Sequence, residues 1–189
     1  MKKLIILLVV SMTLSSCSYN SLVDKEEQVT EQWSQVENVY QRRLDLIPNL
    51  VNTVKGYAQH EKSTLTAVIE ARSKATAVTI DPSKLNAQSI QQFQAAQDGL
   101  SSALSKLMVV VERYPDLKAN QNFLELQAQL EGTENRIAVE RKKFNKVVKE
   151  YNVLVRKFPS NITANMFGFD KKEYFQSTKG AEKAPTVQF

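Results

Sequence analysis

The chain has 189 residues, a formal net charge of +5 at pH 7 and a single cysteine. This length suits one domain with a buried core, and a lone thiol excludes a framework of internal disulfides. The mild basic excess is compatible with anionic lipid head groups but does not indicate a nucleic-acid-binding protein. Because the chain has only five glycines and five prolines, we predict an all-α fold.

The N-terminal residues resemble the signal sequence of a bacterial lipoprotein. Lys2 and Lys3 precede an uninterrupted apolar run over residues 4–10. A membrane-spanning helix needs about 20 apolar residues, so this run fits the hydrophobic region of a cleaved signal peptide better. The segment Leu14-Ser15-Ser16-Cys17 follows, and it resembles the lipobox, in which the cysteine receives the lipid.

These features predict a signal peptide over residues 1–16 and a mature protein that begins at a lipidated Cys17. The acyl chains, palmitate among them, would hold the protein at a bacterial membrane, with its domain outside the cytoplasm. An ordinary secreted protein and an uncleaved N-terminal anchor are the alternatives. Ser18 is not the aspartate associated with retention in the inner membrane, so the outer membrane is favoured if the source has two membranes.

An apolar stripe predicts the first long helix. Its members are three, four or seven residues apart, as one face of a helix requires: Leu22, Val29, Trp33, Val36, Tyr40 and Ile47. Pro48 then removes a backbone donor, yet the apolar periodicity resumes and reaches Ile69. We interpret this pattern as one helix kinked near Pro48, with two helices meeting at Ile47-Pro48 as the alternative.

Two further helices are predicted over residues 90–111 and 122–157, and each ends near an aromatic-proline pair. Four long amphipathic segments with short connections predict an antiparallel four-helix bundle, close to a coiled coil in its packing. The bundle domain would cover residues 17–176. Five aromatic residues lie between Phe158 and Phe175, so we expect this segment to pack back on the bundle. Residues 177–189 are predicted to be a disordered tail.

A set of short motifs spread over residues 19–176 resembles those of the LemA family. They are Trp33-Ser34-Gln35-Val36, Gln41 to Val51, Val54-Lys55-Gly56-Tyr57, His60-Glu61-Lys62, Glu112 to Ala119, Leu130 to Ile137, Phe158-Pro159 and Phe167-Gly168-Phe169. The resemblance implies a helical bundle on a bacterial membrane anchor, and it implies no activity. Many members look anchored by a transmembrane helix, whereas this chain has a short apolar run and the lipobox-like Cys17.

Several polar residues are candidates for an interaction patch. Those around the proline could satisfy backbone groups left unpaired there or bind a small ligand. Glu134 and Arg136 lie beside Gly132, which could let a neighbouring helix approach. With Trp33 as an aromatic member, the candidates are Trp33, Arg42, Arg43, Asp45, Asn49, His60, Glu134 and Arg136.

The sequence carries no pattern typical of a catalytic or metal site. His60-Glu61 is half of a zinc-protease motif, but Thr64 stands where the second histidine would be. Glycine-rich phosphate loops, catalytic triads and cofactor fingerprints are also missing from the sequence. We therefore predict a protein without catalytic residues, metal or cofactor, which binds another protein as an interaction or scaffold module. A sensor or carrier that binds a small ligand between its helices is the alternative.

Overall fold

A computed structural model describes the backbone of residues 2–176 and the side chains of residues 18–176 except Ser83. Within this range the chain is all-α, as predicted, with one 3-10 turn over Pro82–Lys84 and no strand. The helices are α1 (Lys2–Tyr57), α2 (Lys62–Ala77), α3 (Ala87–Val111), α4 (Pro115–Lys118), α5 (Gln121–Arg156) and α6 (Ser160–Phe167). The described chain thus has six helices, of which α4 and α6 are short. The packing of the four longer helices as an antiparallel bundle stays a prediction.

Helix α1 passes through Pro48 without ending. A proline at position 48 removes the N–H that would donate to the carbonyl of Leu44. Arg72 of α2 replaces it, because its Nε donates to the Leu44 carbonyl at 2.9 Å. The interpretation of two helices meeting at Pro48 is therefore wrong. The helix continues there, and a side chain from a neighbouring helix satisfies the orphaned carbonyl.

The chain reverses ten residues later, between Tyr57 and Lys62. Ala58 before the turn and Leu65 after it are both buried in the same apolar cluster. Because both helices face one core, the apolar periodicity runs across the turn and conceals it. Glu61 stabilises the reversal, since its carboxylate accepts from Arg113 at 2.9 Å and from the Tyr114 hydroxyl at 3.0 Å.

Helices α1 and α5 form the longest helix pair and lie antiparallel. Lys25 of α1 bonds to Glu150 of α5 at 2.7 Å, and further along α1 Arg43 bonds to Glu134 at 3.0 Å. The residue numbers rise along one helix as they fall along the other. At about 1.5 Å per residue, the 36 residues of α5 extend about 54 Å.

An aromatic layer fills the core where α1, α3 and α5 meet. The indole of Trp33 is fully buried, and its ring centroid lies 5.3 Å from that of Phe93, 5.5 Å from Phe144 and 5.8 Å from Phe175. Edge-to-face and stacked pairs at such separations are favourable beyond the area they bury. Phe175 comes from the far end of the chain, so the aromatic C-terminal segment packs back on the bundle as predicted.

The segment after α6, residues 169–176, forms neither helix nor strand, and we call it the strap. Gly168 takes a positive φ of +77° at the end of α6, a conformation that costs a residue with a side chain about 1–2 kcal/mol. Two asparagines of α5 then hold the strap. Asn152 exchanges two hydrogen bonds with the backbone of Lys172, and Asn145 exchanges two with that of Phe175, all at 2.8–2.9 Å.

Several predictions concern residues outside this description. The side chain of Cys17 and those of the predicted signal peptide, residues 1–16, are among them, as is the tail at residues 177–189. Lipidation, cleavage and tail disorder therefore stay predictions. Among the residues that the structure describes, no helix is long and apolar enough to cross a bilayer.

The hydrogen bond from Arg72 to the Leu44 carbonyl predicts that the stability effects of substitutions at positions 72 and 48 are coupled. Arg72→Met should lower the free energy of unfolding by about 1–3 kcal/mol, because it leaves the Leu44 carbonyl without its donor. In a Pro48→Ala background the loss should be smaller, since alanine restores the N–H. Urea denaturation of the four proteins measures the coupling. An equal loss in both backgrounds would show that Arg72 acts in another way.

Candidate functional site

Arg43 is the most deeply buried charged residue of the described chain, with 2% of its surface exposed. Its guanidinium donates to Ser101 Oγ at 3.1 Å, to Glu134 Oε2 at 3.0 Å and to both oxygens of Gln97. It also lies 5.2 Å from the centroid of the Tyr40 ring. The arrangement joins α1 to α3 and α5 through one side chain.

We call Arg43 and the residues around it, Tyr40, Gln97, Ser101 and Glu134, the Arg43 cluster. It surrounds a buried positive charge with hydrogen-bond acceptors. Burial raises the pKa of Tyr40 above its usual value, although the nearby guanidiniums of Arg141 and Arg43 oppose that shift. The phenol therefore stays protonated at neutral pH. Glu134 remains largely open to solvent, so the ion pair is exposed on one side only.

A cleft of about 320 Å³ opens beside the cluster between α3 and α5. Its lining combines the hydrogen-bonded head of Arg43 with the apolar side chains of Leu104, Met108 and Leu130. Because Gln97, Ser101 and Glu134 already occupy four donor directions of the guanidinium, little of its charge is free for a ligand. The Nε atom of Arg43 has no hydrogen-bond partner.

A larger groove lies at the turn between α1 and α2. It has a volume of about 740 Å³ and lies next to the reversal of the chain. Val51 and Leu65 form an apolar floor, and the exposed side chain of Ile69 extends it. Lys55 and Lys62 stand at its edges, both exposed. We call this surface the turn groove.

The structure brings together only two of the sequence-predicted site residues, Arg43 and Glu134. Trp33 lies in the aromatic layer and offers no surface. Three others are exposed: Arg42, Asn49 and Arg136. Asp45 accepts a hydrogen bond from Gln41 on its own helix at 2.7 Å. The Leu44 carbonyl, which Pro48 leaves without a helical donor, is satisfied by Arg72 and not by these neighbours.

Two finer expectations about these residues are corrected. His60 lies exposed in the turn after α1, not on a helix, and Glu61 beside it accepts the hydrogen bonds that hold the turn. Gly132 faces open space, with no atom within 4 Å of a Cβ built on it. No neighbouring helix therefore approaches Gly132 closely. Within the described residues, no group of three histidine, cysteine or acidic side chains is placed to hold a metal ion.

Sequence reasoning missed the turn groove. Its residues belong to two helices that the apolar periodicity joined into one, so nothing in the pattern showed that they face each other. The signal available was local: Gly56, Tyr57 and His60 lie within five residues, where a helix interior would use better helix formers. A break placed at that point would have brought Val51 and Leu65 together.

Comparison with known proteins identifies relatives over nearly the whole chain. Residues 32–189 match the model of the LemA family. Magnetosome protein MamQ of Magnetospirillum gryphiswaldense is 28% identical over 199 residues, which cover 95% of this chain and 72% of that protein. MamQ 2 of Paramagnetospirillum magneticum is 28% identical over 188 residues, or 89% and 68% of the two chains. Protein LemA of Metamycoplasma hominis is 22% identical over 160 residues, or 85% and 69%.

The buried guanidinium predicts different effects for two neighbouring arginines. Arg43→Met should lower the free energy of unfolding by about 3 kcal/mol, because it strands the polar groups of Gln97 and Ser101 in the interior. Arg42→Met removes the same charge from an exposed position and should change stability by less than about 0.5 kcal/mol. Urea denaturation compares them. Equal losses would mean that the burial of Arg43 does not matter.

Proposed function

The chain belongs to the LemA family, and on this basis we propose that it is a non-enzymatic protein of a bacterial membrane. We propose further that a lipid on Cys17 anchors it and that it serves as a scaffold for partner proteins outside the cytoplasm. The relatives support this direction, since the names of the MamQ proteins denote a cellular structure rather than a reaction.

The observation that carries the proposal is the separation of two features along the domain. Tyr19 marks one end, two residues after Cys17, and the turn groove begins at Val51 on the same helix. The intervening 32 residues of α1 place them about 48 Å apart. An anchored domain of this form holds the groove well clear of the membrane surface, where a partner can reach it.

The chemistry of the turn groove suits a helix with one apolar and one acidic face. Val51 and Leu65 line the floor of the groove and the exposed Ile69 extends it, so apolar residues one turn apart on a partner helix would find apolar contacts there. Lys55 and Lys62 at the edges would pair with carboxylates on the partner and favour that orientation. We therefore propose an amphipathic, acidic segment of another protein as the ligand of this groove.

A sensor or carrier function is the second candidate. The cleft beside Arg43 is the observation in its favour, since it joins polar and apolar groups between helices. The hydrogen bonds already made by the guanidinium weigh against it. The scaffold proposal therefore has the better support.

Anchoring is tested with Cys17→Ala. In cells given a labelled fatty acid, the wild-type protein should carry label and sediment with membranes, whereas the variant should accumulate as a longer, unlabelled precursor. Globomycin, which blocks cleavage of lipoprotein precursors, should also leave the longer form of the wild-type protein. Equal labelling of wild type and variant would refute a lipid on Cys17.

The scaffold role is tested by a photo-crosslinking amino acid at Ile69 in intact cells. Val139 on α5 is the matched control, because it is an apolar residue of similar exposure far from the groove. We expect a discrete adduct from position 69, none from position 139, and loss of the adduct in a Lys55→Glu, Lys62→Glu variant. The same adducts from both positions, or none from either, would contradict a specific partner at the turn groove.

A further inference from the structure

Helix α6 is oriented with its large apolar residues outward. The face buried against α1 and α5 consists of small residues, Ser160, Thr163 and Ala164. The opposite side carries Ile162 and Met166, whose surfaces are 58% and 65% exposed. Phe158, in the turn that precedes the helix, is 74% exposed. We call Phe158, Ile162 and Met166 the end face.

This arrangement is unlike the other exposed apolar residues of the described chain. Single apolar residues on a surface are ordinary and call for no explanation. The end face instead groups three large exposed side chains within nine residues. Ile162 and Met166 lie four residues apart on one side of α6, and Phe158 lies in the turn just before the helix. A group of exposed apolar side chains of this kind marks a contact with another apolar phase or molecule.

The end face lies where the chain comes from its N-terminal segment. Tyr19 of α1 packs against Phe167 with ring centroids 4.9 Å apart, and against Phe169 at 5.7 Å. The apolar run at residues 4–10 and the lipobox-like Cys17 precede Tyr19 directly. Whichever of them holds the protein, its membrane attachment is at the same end of the domain as α6.

The charges around the end face match an anionic surface. Arg156 and Lys157 precede it and Lys171 follows it, and all three side chains are exposed. Asp170 is the exposed acidic residue of this stretch. Basic residues near a membrane surface are attracted to anionic lipids by about 1 kcal/mol each.

The acidic residues of α1 lie further from this end. Asp24 and Glu27 are both exposed and stand about 8 and 12 Å beyond Tyr19 along the helix. They would therefore face solvent above the head groups. The end face lies with Arg156 and Lys157 at the end of the domain, and the exposed acidic groups of α1 lie further along the axis.

We propose that the end face of α6 inserts into the head-group region of the bilayer that anchors the chain. Interfacial helices bury their apolar side about 5–10 Å below the surface, a depth that the long side chains of the end face can reach. The insertion would give the domain a second attachment and set its orientation on the membrane. This inference rests on the membrane anchoring proposed above and adds a contact that anchoring alone does not require.

The test uses the full lipidated chain in vesicles of phosphatidylcholine and phosphatidylglycerol that carry spin-labelled lipids. A fluorophore is attached to Met166→Cys, and in a second protein to Val109→Cys. Val109 is an exposed apolar residue near the end of α3, at the opposite end of the domain, and is the matched control. The wild-type protein, whose lipidated Cys17 takes no label, gives the background.

We expect the spin labels to quench the fluorophore at position 166 and to leave the one at position 109 bright. Adding Ile162→Glu to the first protein should relieve the quenching without releasing the protein from the vesicles. Vesicle-bound protein with no quenching at position 166, or with equal quenching at both positions, would overturn the inference while leaving the anchor intact. Protein that fails to float with the vesicles would overturn the proposed anchoring as well.

A second copy of the chain is the other possible occupant of the end face. In that case the Met166→Cys protein, left without fluorophore, would form a disulfide-linked dimer efficiently in vesicles under mild oxidation, and the label would not be quenched. That result would assign the face to self-association and overturn lipid insertion. Oxidation that leaves the protein monomeric, together with quenching at position 166, is the result that the lipid contact predicts.

Discussion

The clamp of two asparagines on the strap is the interaction on which the position of α6 depends. A carboxamide presents one donor and one acceptor at the spacing of an extended peptide unit, so each asparagine serves the backbone as a strand would. Asn152 and Asn145, seven residues apart on α5, hold Lys172 and Phe175 in this way. Each such bond contributes about 1 kcal/mol, and together they keep Phe175 inserted beside Trp33. Since α6 lies between the end of α5 and the clamped strap, it is fixed at both ends.

That constraint links the core to the proposed membrane contact. An eight-residue helix with serine, threonine and alanine on its inner face buries little apolar surface of its own. It stays in place because the strap beyond it is anchored in the aromatic layer. The end face can therefore remain outward without the helix turning to hide it. At the other end of the domain, the reversal at residues 58–61 forms the turn groove. One long helix, α1, therefore connects the proposed attachment end with the proposed binding end.

Much of the fold follows from apolar periodicity, and what does not follow has identifiable causes. The apolar stripes predict α1, α3 and α5 because each of these helices buries one face over many turns. The turn after Tyr57 was hidden because both flanking helices bury residues in one core. The role of Arg72 could not be predicted, since it pairs with a carbonyl 28 residues away. Arg43 and Glu134 were both selected from sequence, but their contact depends on the alignment of α1 against α5, which no local pattern specifies.

The central claim is that the domain stands on its α6 end with the turn groove away from the membrane. Neutron reflectometry of the lipidated protein on a supported bilayer measures this orientation directly. The account predicts a protein layer that begins within the head groups and extends about 54 Å from them, the length of α5. A layer only about 20–24 Å thick, the width of two helices, would show a domain lying flat. A water gap between the head groups and the protein would show that α6 does not touch the membrane, and either result would contradict the account.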